Sequence, residues 1–165
     1  MKKLITAALL LSITLSAQKA YSQIHLGGGV VFGTSDFVDF GFDFRGDYRI
    51  TDNWVVTPNI NVFLNKSQGT SEFKTGLTTI NFDGHYLFPT GGDFTVYPLA
   101  GINISIGRAK FMDVKSSNTE IGLNLGGGFN YAMDENKDLF FETKYVIVSD
   151  LDQLVFAIGI LVGLN

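Results

Sequence analysis

The sequence predicts an all-β protein: an eight-stranded antiparallel up-and-down β-barrel whose strands cross a membrane. Three observations predict it. Apolar and polar residues alternate with a period of two through most of the chain after residue 23, which is the period of a strand and not of a helix. The alternating segments run roughly 9 to 13 residues, about twice the ~5 to 6 of soluble sheets and close to the ~9 to 11 tilted residues that cross a bilayer. Finally, the face opposite the apolar one is small, amide-bearing and sparsely charged with both signs. A water-facing surface would be rich in Lys and Glu and poor in glycine.

Residues 1–22 read as a cleaved secretory signal, with Lys2 and Lys3, an apolar run from Leu4 to Leu15, and then small residues. Cleavage is expected after Ala17 or just before Gln23. An apolar run of roughly 12 to 14 residues is too short for a spanning helix, which needs ~20. Residues 23–165 are then expected to form one domain.

The first strand is IHLGGGVVF, from Ile24. The second, FVDFGFDFRGDYRI, alternates almost without slips: Phe40, Phe42, Phe44 and Tyr48 oppose Asp39, Asp43, Arg45, Asp47 and Arg49. The turn TDN leads to the third, WVVTPNINVFLN, where Thr57, Asn59 and Asn61 oppose Val56, Ile60 and Val62. After residues 65–74 comes GLTTINFDGHYLF, with Asp83 and His85 against Phe82 and Tyr86. PTGGD turns into the fifth strand, FTVYPLAGINISIG, and residues 108–118 connect it to the sixth, TEIGLNLGGGFNYA. MDENK precedes DLFFETKYVIV, and SDLDQ precedes the last strand, LVFAIGILVGLN. Pro58 and Pro98 lie mid-strand on the apolar face and are expected at bulges, since proline cannot donate to a ladder.

Which face meets lipid follows from the pattern. Glycines, amides and paired charges suit a confined interior, so the apolar face is expected to look outward. Tyr48 and Trp54 flank TDN, Tyr86, Phe88 and Phe94 flank PTGGD, and Phe129, Tyr131, Phe140 and Phe141 flank MDENK. All three turns lie at one end of the meander, so most of these rings, namely Tyr48, Trp54, Tyr86, Phe88, Phe94, Phe129, Tyr131 and Phe141, are expected to form a belt at one membrane interface. The turns at that end are tight, whereas the connections at 65–74 and 108–118 are longer and polar, the asymmetry of outer-membrane barrels.

Composition excludes several function classes. There is no cysteine, so neither a disulfide framework nor a thiolate metal site is available. Removing residues 1–22 takes away three lysines and no acid, moving the net charge from −4 to −7. An acidic chain without basic clusters is not a nucleic-acid binder. The two histidines, His25 and His85, have no nearby serine and no His-x-x-x-His spacing, so neither a hydrolytic triad nor a metal or other cofactor site is expected. Neither GGG, at 27–29 or at 126–128, precedes a helix, so no phosphate cradle is expected.

YPLAGINISIG, IGLNLGGGFNYAMDENKDLFFETKY and the terminal strand resemble the small eight-stranded outer-membrane barrels of the OmpA/OmpX type, the outer membrane protein beta-barrel family. The resemblance covers residues 24–165. It implies a monomer in the outer membrane of a Gram-negative bacterium, with its termini facing the periplasm and its longer loops outside. It also implies an inward acid and base beside an aromatic on the seventh strand, matched here by Glu142, Lys144 and Tyr145. The family's terminal assembly signal is matched by Gly159, Val162 and Leu164, so the barrel assembly machinery is an expected partner. This chain departs from that signal in ending on Asn165 and in carrying Ala157 at a position that is usually polar.

Alternation places Asp39, Asp43, Arg45, Asp47, Arg49, Asp83, His85, Glu142 and Lys144 inside. They are expected to form a polar network filling a lumen that eight strands make only wide enough for side chains. The expected role is non-enzymatic: maintaining the envelope, or contacting a surface ligand or lipopolysaccharide through loops 65–74 and 108–118. Competing readings are a soluble periplasmic carrier of lipocalin-like shape, which needs the two faces reversed, and a lipid-modifying outer-membrane enzyme.

Overall fold

Long runs of period-two alternation with glycines at close approaches leave the chain one economical way to pair its backbone, a sheet closed on itself. The computed structural model describes residues 24–35, 40–67, 73–111, 114–149 and 152–164. It contains eight long strands: β1 (Ile24–Gly33), β2 (Phe40–Arg49), β3 (Trp54–Phe63), β4 (Phe73–Tyr86), β5 (Phe94–Phe111), β6 (Val114–Asp134), β7 (Lys137–Ile147) and β8 (Gln153–Gly163). Each pairs antiparallel with its neighbours in sequence, and β1 pairs with β8 from His25↔Gly163 to Gly33↔Val155. Closure removes the free edges, and so gives every strand two partners for its N–H and C=O groups where no water can reach them. The signal expected at 1–22 lies outside the described residues.

Burial follows the alternation. Phe42 and Phe44 are 44% and 59% exposed, while Asp43 and Arg45 between them are 1% and 5% exposed. The greasy face is therefore the outer wall. Hydrocarbon is the medium that stabilises such a wall, at about 25 cal/mol per Å² of apolar surface removed from water. Trp54, Phe88, Phe94 and Tyr48 stand exposed near the tight-turn end, with Tyr86, Phe129, Tyr131 and Phe141 half-buried among them. Edge-on contacts link Trp54 to Tyr86 and Tyr86 to Phe88.

Two expectations need correction. The connections at 65–74 and 108–118 are not loops throughout, because the ladder continues into their described residues. β5 and β6 stay in register as far as Phe111↔Val114, and Lys66–Ser67 pairs with Thr75 and Lys74. Beyond the membrane both faces of a hairpin meet water, so its strands lose the apolar alternation that marks them lower down. Second, Pro58 and Pro98 do not sit at bulges. The register is the same on both sides of each, Arg45↔Asn59 and Tyr48↔Val56 around the first, and Leu99↔Gly126 and Tyr97↔Gly128 around the second. The ladder simply lacks its pairs at Gly46/Pro58 on one side, where the missing N–H would have donated. The described bulge lies instead between Ala132 and Asp134. Phe140, on the same parity as Glu142, is fully buried inside the barrel.

Candidate functional site: the barrel interior and the hairpins

Tight turns set the register, and the register brings the interior groups to their places. The pairing out of the TDN turn puts Asp43 opposite Asn61 and Arg45 opposite Asn59. Out of the bulged turn after β6, Glu142 falls opposite Gly128 and Lys144 opposite Gly126. The glycines are required there. A Cβ on Gly128 would stand 2.7 Å from Tyr97 Oη, and one on Gly126 would stand 2.6 Å from Lys144 Cα.

Arg45 lies at the centre. Its Nη2 and Nε donate to the two Asp43 oxygens at 2.7 and 2.9 Å, and its Nη1 donates to Glu142 Oε2 at 2.9 Å. The guanidinium also lies 3.8 Å from the centre of the Phe140 ring, a placement in which a cation meets the negative face of the ring. Glu142 continues the chain to Lys144 Nζ at 3.5 Å, and Lys144 donates to Asp83 at 2.7 Å. Asp83 accepts further bonds from Asn124 and Asn59. The result is a line of alternating sign, Asp43–Arg45–Glu142–Lys144–Asp83, in which each charge faces an opposite one. Above it an amide web passes from Asn59 through Asn81 to Asn103 and Ser105. Multiple partners offset the desolvation of these buried groups.

His85 stacks on Tyr97 at 4.5 Å, and its Nε2 is 3.7 Å from Glu142. Its Nδ1 lies 3.4 Å from Thr57 Oγ1, but the Thr57 hydroxyl donates to Asp47 at 2.8 Å. A hydroxyl, an imidazole and carboxylates are thus neighbours. Thr57 is 0% exposed, so this hydroxyl is enclosed within the barrel wall and its neighbours.

The expected interior set is brought together in part. Asp43, Arg45, Asp83, His85, Glu142 and Lys144 share one layer, and Asp47 adjoins it through Thr57. Arg49 does not join, because it is exposed at the end of β2. Asp39 lies outside the described residues. Tyr145 faces outward, and the aromatics beside the inward charges are Phe140 and Tyr97. Part of the interior is apolar as well: Val31, Phe63, Leu77, Val146, Val155 and Leu161 form a buried cluster. Its signal was present in LVFAIGILVGLN, since a strand apolar on both faces reads as a continuous run rather than an alternation. Tyr97 and Asn103 were legible by parity from Ser105 on the same strand.

Gly159 is half-buried, while Val162 and Leu164 are exposed on the outer wall. A groove of about 500 Å³ between Leu26, Phe44, Pro58, Ile60 and Phe82 also opens on that wall. Among the described residues, no group of three or more metal-ligating side chains stands together.

Comparison with known proteins agrees with this geometry. The family model described as the outer membrane protein beta-barrel domain matches residues 5–162. No curated protein matches the sequence. Among solved structures, Neisserial surface protein A superposes with a TM-score of 0.70 at 20% identity, covering 86% of this chain and 97% of its own. The N-terminal β-barrel domain of Pseudomonas aeruginosa OprF gives 0.65 at 16% identity, covering 87% of this chain and 98% of that one. The attachment invasion locus protein Ail of Yersinia pestis gives 0.62 at 14% identity, covering 84% and 95%. At these identities the structural likeness is one of fold. With the family match over nearly the whole chain, this protein belongs to the outer membrane protein beta-barrel domain family and is a barrel of the outer membrane.

Proposed function

We propose that this barrel is not an enzyme, and that it serves the outer membrane as a rigid, side-chain-filled platform holding two extracellular hairpins for surface contact. The observation that carries the reading is the filled interior. The charged groups that could do chemistry are engaged with each other, from Asp43 through Arg45, Glu142 and Lys144 to Asp83. Such a line ties β2, β4 and β7 together across the lumen and resists deformation, which is the property of a scaffold. In this reading the surface offered to a partner is the pair of hairpins around 65–74 and 108–118. Ail, one of the structural neighbours, has been solved with the heparin analogue sucrose octasulfate, and contact of that general kind at the cell surface fits a barrel with extended hairpins. In this reading residues 1–22 are removed on export, and Gly159, Val162 and Leu164 present the last strand to the barrel assembly machinery.

Three strains test it: cells with the native barrel, with both hairpins cut back to two-residue turns, and with no barrel. The cut-back barrel is expected to preserve resistance to detergent and to lose adhesion to immobilised matrix and glycan surfaces. Lipid A profiles are expected to be identical in all three strains. A lipid A species present only with the native barrel would make it an enzyme, and undiminished adhesion by the cut-back strain would remove the hairpins from its function.

A further inference from the structure

The gap in the ladder at Pro58 lies beneath the groove on the outer wall. Between Arg45↔Asn59 and Tyr48↔Val56, the pairs Gly46/Pro58 and Asp47/Thr57 are missing from the register of β2 with β3. The outward row through this gap runs Leu26, Gly46, Pro58, Phe82 across β1 to β4. Leu26 and Phe82 are exposed, tall side chains. Between them stand a residue with no side chain and one whose ring folds back on its own backbone. The row above, toward the hairpins, is filled by Phe44, Ile60 and Ile80. The result is a slot of about 500 Å³ with large walls and a floor two strands wide. Arg45, Asn59 and Asn81 reach it through their backbones, because their side chains are buried inside the barrel, so the side chains lining it are apolar.

Depth decides what lies beside the slot. Four residues separate Trp54, in the aromatic belt, from Pro58 on β3. That is roughly 13 Å along the strand and about 10 Å along the membrane normal at a tilt of ~40°. The hydrocarbon core is ~30 Å thick, so the slot opens to the acyl chains of the leaflet on the tight-turn side. An apolar slot offers water no partners, and a slot left empty forfeits the contacts of its lining. A second barrel presents a convex wall, which meets the tops of Leu26 and Phe82 before it reaches the floor. An extended hydrocarbon chain fits: neighbouring strands are ~4.8 Å apart, so a floor two strands wide takes a single chain lying between the two walls.

We infer that this slot binds one acyl chain of a phospholipid from the periplasmic leaflet, laid along β2 and β3 with its headgroup beyond Tyr48 and Trp54. The leaflet rests on the proposed orientation with the hairpins outside. A chain in the slot touches protein on three sides, whereas a chain on the rest of the wall touches it on one.

Cells expressing the barrel are fed a fatty acid with a diazirine at mid-chain, which enters their lipids, and are irradiated. The barrel is purified and digested, and each adduct is located and identified by mass. Phospholipid adducts are expected on Phe44, Ile60 and Phe82 about tenfold more often than on Leu123 and Ile158, which are exposed elsewhere on the wall; a tenfold preference corresponds to ~1.4 kcal/mol. Gly46→Leu fills the floor, since its Cβ first meets the flexible end of Leu26, at 3.3 Å. Pro58→Leu fills it from β3 and restores an N–H. Each variant is expected to bring the slot adducts down to the level of the wall while keeping the faster gel mobility of a folded, unboiled barrel. Even labelling round the native wall would overturn the inference, and so would slot adducts that persist in both variants. An unlabelled slot on a labelled wall would also overturn it and give the groove to a second copy or another protein. Slot adducts of lipid A would overturn it too; adhesion lost on cutting back the hairpins would then show that the proposed function stands and the assignment of the slot fails.

Discussion

Removing Arg45 and removing Glu142 differ in what they leave behind, and the difference follows from the order of charges along the line. Replacing Arg45 by Met strands Asp43, whose two oxygens accept from that guanidinium. Glu142 keeps Lys144 at 3.5 Å. A buried charge robbed of its partner costs about 3–5 kcal/mol. Replacing Glu142 by Gln leaves Arg45 paired with Asp43 and Lys144 paired with Asp83, both at 2.7 Å. The amide retains an acceptor for Tyr97 and Arg45, so the loss is that of hydrogen bonds to a charge, about 1.5–3 kcal/mol. Arg45→Met should therefore cost roughly twice what Glu142→Gln does. The double variant Asp43→Asn/Arg45→Met should recover much of the loss, because no lone carboxylate remains. The assay is urea unfolding in phospholipid vesicles, followed by the fluorescence of Trp54, the single tryptophan. Equal losses for Arg45→Met and Glu142→Gln would refute the reasoning, and so would a double variant no more stable than Arg45→Met alone.

Other perturbations test the wall and the turns. Phe44→Arg puts a cation on the lipid face at an exposed position and should cost about 2–4 kcal/mol in vesicles; a cost near zero would mean that this wall does not face hydrocarbon. Gly126→Val should abolish the fast-migrating unboiled form, since its Cβ meets the backbone of β7 at Lys144 Cα, whereas Gly92→Val, with nothing within 4 Å, should fold normally. In the turn beyond the membrane-spanning part of β6, the Asn136 amide and the Lys137 ammonium donate to Asp134 and hold its carboxyl below the usual aspartate range. Because the folded pKa is depressed, its stabilisation is present above the unfolded pKa and is lost as pH falls through the folded one. Carboxyl-carbon NMR should show the Asp134 midpoint moving up in Lys137→Met.

Much of the interior was legible because a tight turn makes register a matter of counting. Asp43 opposite Asn61 and Glu142 opposite Gly128 needed only the turn position and a period of two. The hairpins were not legible, because outside the bilayer nothing forces a strand to be apolar on one side. RAKFMDVKSSN carries the composition of a loop, while its described residues hold a ladder from Arg108↔Ser117 to Phe111↔Val114. The side to which Phe140 points was legible by parity. In DLFFETKY two adjacent rings stand at the belt level, and position beside the turn does not say which one points inward. Parity from Glu142 does, and it turns Phe140 toward Arg45.

By itself the sequence determined which residues look out and which look in on β2, β3, β4 and β6. The reason is local: adjacent side chains of an extended chain project to opposite faces whatever the rest of the protein does. Only the closed structure decided who meets whom across the axis. Arg45 and Glu142 are 97 residues apart, and Asp83 and Lys144 are 61 apart. No local rule links them until the pairing of β1 with β8 brings opposite walls within reach of one side chain. Closure likewise decided that Val31, Phe63 and Val155 share an apolar cluster beside the charges.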